Sequence, residues 1–352
     1  MPTPATAPLR ILLWHVHGSW TGSFVQGRHT YLLPTLPEGG PWGRGRCGRD
    51  WPASVREVPA GDLGGADVDV VLLQRPEELE LAHRWLGRRP GVDVPAIYVE
   101  HNTPHEHPVR TRHPMAGHPE VGLVHVTHFN DLMWDNGDRP STVVSHGIPD
   151  PGHRYTGELP RAAALINEPI RRGRVTGTDL LDRIALAAPV DVYGIGADEL
   201  GAAHEGVCGV GDLGQARLHP EMARRRVYVH TARWTSLGLS LIEAMALGMP
   251  VVAVASTEAV AAVPPAAGVL STDVAELVEG VRRFVRDPEH AASAGAAARA
   301  HALTQHGQAA FLRRWDELLD EAVGPRRTVL TTRLPPRTGG APLTRTTIEE
   351  TS

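Results

Sequence analysis

The chain has 352 residues, 41% of them hydrophobic, which is enough for two domains of ordinary size with a core each. Its formal net charge of -5 is mild and its arginines are scattered through both halves, so composition argues against a nucleic-acid partner. Cys47 and Cys208, the two cysteines, stand too far apart in sequence to suggest a disulfide framework or a zinc site, and they fit a reducing cytoplasm.

Lysine is absent while Ala, Gly, Pro and Arg abound, a usage that points to a G+C-rich bacterial source. Residues 1–8 read as a flexible Pro/Ala leader, without the long apolar stretch that a signal peptide or membrane span requires. The expectation is a soluble cytoplasmic protein, with a peripheral membrane association left open.

Short apolar runs at 9–16, 68–74, 96–100, 123–127 and 142–145 read as strands buried on both faces. Between them, 77–89 is a helix with Glu77, Glu78 and Glu80 near its start and Arg84, Arg88 and Arg89 near its end, matching the helix dipole. Residues 34–65, rich in Gly, Pro and Arg, read as a long loop or irregular insertion. The first strand runs into WHVHGSWTGS, predicted to be a glycine-containing loop at a strand's C-terminal end, where Gly18, Ser19 and Gly22 would face a cleft.

The segment SHGIPDPGHRYTGELP has the density of Pro and Gly expected of a linker, placed at 151–160 after a first domain at 9–150. A second β-α series follows over 161–304, with strands at 163–166, 191–193, 206–210 and 227–231 and helices at 179–188 and 215–225. In WTSLGLSLIEAMALGMPVV, Gly238 allows close backbone approach and Leu239–Leu247 has helical spacing. Gly248 and Pro250 then stop the helix before a strand at Val251–Val254. Free amides at that helix start attract phosphate, and Glu243, about one turn in, can accept hydrogen bonds from two ribose hydroxyls. The plainer alternative is an amphipathic helix carrying one stray Glu. A helix over 305–323 would pack back toward the first domain, and 324–352 reads as a disordered tail.

The run from Trp234 to Val252 resembles the donor-site motif of GT-B glycosyltransferases, above all the retaining family 4, also described as glycosyl transferases group 1. Gly238, Glu243, Ala244, Gly248, Pro250, Val251 and Val252 match it. SHGIP at 145–149, DVYGIG at 191–196 and VYVHTA at 227–232 fall in the family's order, and the resemblance covers about 9–323. It implies an α/β fold of two doubly wound Rossmann-like domains across a deep cleft. It also implies transfer of a sugar from a nucleoside diphosphate donor to a small-molecule, glycan or lipid-linked acceptor, with retention and without cofactor or metal.

Two positions depart from the pattern: Thr235 replaces a Glu that meets the donor sugar, and Thr176 replaces a Lys that neutralises the diphosphate. By resemblance, Arg171 stabilises the leaving group, and Arg172 or Arg174 supplies what Thr176 cannot, a guanidinium fork being suited to phosphate. A solvated basic loop is the alternative for these arginines. The resemblance assigns the donor to Thr235, Ser236, Leu237, Gly238, Leu239, Ser240 and Glu243, the acceptor to His101, and either the donor phosphate or the acceptor to the loop of Gly18, Ser19 and Gly22. His101 as a structural loop residue, and a metal site at His105, Glu106 and His107, are weighed against this; the latter lacks helical ligand spacing. A catalytically silent nucleotide-sugar binding protein and a nucleotide-sugar epimerase or hydrolase stay open as alternatives.

Overall fold

The computed structural model describes residues 7–203 and 205–324, so most of the expected leader and tail lie outside the described residues. The first domain contains β1 (Arg10–Leu13), α1 (Gly18–Phe24), β2 (Thr30–Thr35), β3 (Val55–Pro59), β4 (Val70–Leu73) and α2 (Glu77–Leu86). It continues through β5 (Ala96–Glu100), β6 (Gly122–His125), α3 (His128–Met133) and β7 (Thr142–Val143). Its sheet is parallel, in the order β3-β2-β1-β4-β5-β6-β7. β4 and β5 are buried at every position because helices cover both faces, which is why each reads as an unbroken apolar run.

Residues 34–65 are not one irregular insertion. They hold the end of β2, the edge strand β3 and a 3-10 turn at Ala60–Gly65, which leaves 36–54 irregular. β3 escapes sequence reading because only one neighbour pairs with it and Arg56 and Glu57 face solvent, so no apolar run marks it. The predicted Gly18 loop is also corrected. Gly18 and Ser19 open α1 and Gly22 lies within it, since Trp20 and Phe24, one helical turn apart, both bury in the core.

The second domain contains β8 (Leu159–Leu165), α4 (Pro169–Thr176), α5 (Leu181–Ala185), β9 (Val190–Tyr193), β10 (Val207–Gly211), α6 (Gln215–Ala223) and β11 (Arg225–His230). It continues with α7 (Leu239–Leu247), β12 (Val251–Val254), α8 (Ala259–Ala262), β13 (Gly268–Ser271), α9 (Val274–Arg286) and α10 (Pro288–His306). This sheet is also parallel, in the order β10-β9-β8-β11-β12-β13. β8 begins inside the predicted linker: Leu159 already pairs with Arg225, and the residues before it are held by Tyr155 Oη donating to the Arg226 carbonyl at 2.8 Å.

After Gly307 the chain crosses back as α11 (Gln308–Val323). Phe311, Trp315 and Leu319, spaced by four, enter the first domain's core beside Trp20, Phe24 and Tyr31. Asp316 fastens the helix from outside, 2.9 Å from Arg28 Nε and 3.0 Å from His29 Nε2. Trp315 is 1% exposed and meets Trp20, Phe24 and Phe311 edge to face. Trp315→Ala should therefore cost about 3–5 kcal/mol, the usual range for emptying a large aromatic site. A lowered urea midpoint for the first domain in circular dichroism checks this.

Candidate functional site

Loops from the C-terminal ends of β1, β5 and β7 face those of β8, β9, β10 and β11 across one cleft of about 1010 Å3. This is where parallel α/β sheets place ligands, because successive loops diverge there.

The second-domain wall, where the donor is expected, is built on the turn between β11 and α7. Gly238 starts α7 with no side chain capping it, so the first-turn amides of Leu239 and Ser240 stay open toward the cleft. A Cβ at Gly238 would stand 2.8 Å from His230 Cε1, so the backbone passes close over that ring. Burial pushes His230 down to about 4, leaving it neutral. Ser240 accepts a hydrogen bond from Tyr228 Oη at 3.0 Å, Leu237 packs into the core, and Thr235 lines the cleft. Glu243, one turn into α7, lies 3.5 Å from Gln215 Nε2 and 3.8 Å from His219 Nε2. Its carboxylate also borders an adjoining cavity of about 380 Å3 under the 148–151 segment.

The arginines separate. Glu168 precedes α4 in the left-handed region, φ 54°, and its carboxylate clamps Arg171, whose Nε lies 2.9 Å away. Arg172 lines the cleft half buried, and its side chain makes no hydrogen bond or ion pair among the described residues. Burial and the neighbouring Arg171 charge both lower its pKa. Arg174 is not brought to the cleft: Gly173 breaks the helix at φ 38°, and the Arg174 side chain, 77% exposed, pairs with Asp179 at 3.0 Å. Thr176 is buried at the cleft, its carbonyl taking a bond from Thr231 Oγ1 at 2.7 Å. Gly177 closes this joint, since a Cβ there would overlap the Thr231 carbonyl oxygen.

The first-domain wall carries imidazoles. His17 lies tilted against His101 with ring centroids 4.0 Å apart, Trp20 stands edge-on to His101 at 5.0 Å, and His146 lies 6.4 Å from it. Burial holds all three neutral, His101 well below its ordinary value, His17 at about 4 and His146 at about 3. Nε2 of His101 and Nδ1 of His146 are buried without hydrogen-bond partners among the described residues. Gly18 and Ser19 line this wall, whereas Gly22 faces Trp51 outside it. Among the described residues no three His, Cys, Asp or Glu converge as metal ligands.

A clasp that sequence reading misses joins the walls. Trp234 Nε1 donates to the Pro104 carbonyl at 2.9 Å, and its ring meets Phe129 edge-on at 5.6 Å. Phe129 N donates to Glu258 Oε2 at 2.8 Å, and Ser236 Oγ lies 3.3 Å from Thr127 Oγ1. Ser236 is thus spent on the domain junction. Arg49, Asp212, Leu213, Gln215 and His146 also line the cleft. Only His146 carries a sequence signal, standing where the resembled family commonly has Asn.

Residues 203–301 match the family described as glycosyl transferases group 1, a stretch that includes α6, β11 and α7 of the second-domain wall. No curated protein matches the chain. Similar solved structures include HepE of Anabaena in complex with UDP, at 12% identity and a TM-score of 0.67, covering 89% of this chain and 100% of that one. Sucrose-phosphate synthase from Thermosynechococcus elongatus is 13% identical with a TM-score of 0.67, covering 89% and 98%. S. aureus TarM is 16% identical with a TM-score of 0.57; there 71% of this chain spans 55% of its counterpart. At these identities the likeness carries the fold, two facing Rossmann-like domains in the GT-B arrangement. The chain thus has the GT-B fold, with its match to glycosyl transferases group 1 confined to residues 203–301 of the second domain. No helix among the described residues is long and apolar enough to cross a membrane.

Two tests follow from this geometry. His17, His146 and His230 are neutral in the folded chain but take protons below their ordinary 6.5 once unfolded. The unfolded state then binds more protons, so stability should fall as pH drops from 6.5 to about 4, and His146→Asn should flatten that slope in urea unfolding. Trp234→Ala should raise amide hydrogen exchange at 101–105 across the cleft as well as in its own loop. Trp234→Phe, which keeps the ring on Phe129, should raise it less.

Proposed function

We propose that the chain transfers a sugar from a nucleoside diphosphate donor to an acceptor hydroxyl with retention of configuration and without a metal. The observation that carries this reading is the convergence on one wall of open α7 amides, the unpaired Arg172, Thr235 and the Glu243 carboxylate. Amides and guanidinium suit a diphosphate, and a carboxylate beyond them suits a ribose diol. Leu213 and Leu218 flank Gln215 beside Glu243 and offer an apolar bed to the base.

Arg172 takes the role expected of Arg171, because Arg171 is already neutralised by Glu168. As the bond from the anomeric carbon to the diphosphate oxygen breaks, Arg172 and the amides hold the developing charge that a cation would otherwise neutralise. The acceptor oxygen bonds to the same face of that carbon, and its proton passes to the departing phosphate oxygen. His101, neutral and with Nε2 free, orients the acceptor hydroxyl. Thr235, shorter than the Glu of the resembled family, reaches the sugar with a hydroxyl in place of a charge.

UDP is the first nucleotide to test, since HepE is described in complex with UDP and with UDP-glucose. UDP at a hundredfold excess over its Kd should stabilise the wild type by about 2.7 kcal/mol. Glu243→Ala and Arg172→Ala should abolish the melting-temperature shift, and Arg174→Ala should keep it. GDP, ADP and dTDP run in parallel, and wild-type shifts preserved in both Glu243→Ala and Arg172→Ala would overturn this donor site.

A further inference from the structure

We propose that the acceptor carries an anionic group, a phosphate or a carboxylate, and that Arg49 binds it. This rests on the reading of the opposite wall as the donor site. Arg49 belongs to the 36–54 segment between β2 and β3, which is irregular but tightly held. His15 Nδ1 lies 3.2 Å from the Gly45 carbonyl oxygen, and the His15 ring stands edge-on to Trp51 at 4.6 Å. Arg46 donates to the carbonyls of Arg49, Trp51 and Val55, and its own amide bonds Glu57 at 2.7 Å. Arg75 lies over the Trp42 ring at 3.9 Å. Arg46, Glu57 and Arg75 are therefore used in holding the segment, and what it presents is Arg49.

The Arg49 guanidinium lines the cleft over the first residue of α1, with Nη2 3.4 Å from where a Cβ of Gly18 would stand. It makes no hydrogen bond or ion pair among the described residues. No carboxylate lines the first-domain wall, where the polar side chains are Arg49, Ser19, Asn102, Thr103 and four histidines. The cleft's carboxylates, Asp212 and Glu243, stand on the opposite wall. Glu100, the nearest buried acid behind the imidazoles, is engaged by His113 Nε2 at 3.1 Å and by Asn102 N. With His17, His101 and His146 held neutral by burial, Arg49 is the one arginine lining this wall among the described residues, and a bidentate anion is the ligand a guanidinium fork selects.

The experiment uses the full chain saturated with UDP, so that the donor's phosphate site is filled. Glycerol 3-phosphate and glucuronate are titrated against their neutral counterparts, glycerol and glucose, at constant ionic strength by calorimetry. The wild type should bind one anion at least about tenfold more tightly than its neutral counterpart, and the preferred anion tells phosphate from carboxylate. Arg49→Ala should lose that preference while its UDP affinity stays within about twofold, and Arg49→Lys should recover part of it. Equal binding of charged and neutral probes, or an undiminished preference in Arg49→Ala, overturns the proposal. So does a tenfold loss of UDP affinity in Arg49→Ala, which would place Arg49 at the donor. A wild type that binds no UDP overturns the donor reading instead, and this inference with it.

Discussion

The cleft depends on the return of α11 to the first domain. Two parallel sheets each offer diverging loops at one edge, but a site forms only if those edges are made to face each other. Phe311, Trp315 and Leu319 leave from the second domain's last helix and complete the first domain's core, so separating the domains would expose large aromatic surface. The crossing is tight. Gly147 has no room for a Cβ against Phe311, and Ile148 N donates to the His306 carbonyl at 2.9 Å, so both passages between domains are packed side by side.

On that frame the cleft is partitioned electrostatically. The second-domain wall combines helix amides and Arg172 with Glu243, a set suited to a ligand that is anionic at one end and hydroxylated at the other. The first-domain wall carries buried imidazoles that stay neutral because desolvation outweighs any nearby charge. Those imidazoles, being neutral, do not compete with the second-domain wall for an anion, and Arg49, the one arginine lining the first-domain wall among the described residues, gives it a positive charge. Trp234 and Phe129 tie the walls beside Thr235, so the loop between β11 and α7 takes its shape partly from the other domain.

Much of the fold was legible along the chain. β5, α7 and β12 have the predicted limits, since Glu100 ends one and Gly248, in the left-handed conformation, separates the others. β2 and β3 were hidden, one by its short apolar run between Thr30 and Pro34 and the other by its polar edge residues. Of the residues expected at the donor, Gly238, Leu239, Ser240, Thr235 and Glu243 come together in the cleft because a single turn and helix carry them all. Arg171 and Arg172 both line the cleft, the first paired with Glu168 and the second unpaired, while Arg174 lies outside it on Asp179.

The sequence by itself determined the two β-α series, the helix that opens at Gly238 and the place of Glu243 within it, because periodicity, glycine and proline act locally. Only the tertiary structure decided which cations stay available. A guanidinium is free or neutralised according to the carboxylate that folding brings to it: Glu168 takes Arg171 and Asp179 takes Arg174, while Arg172 and Arg49 face the cleft. The histidines follow the same rule, because their neutrality comes from burial contributed by residues far away in the chain.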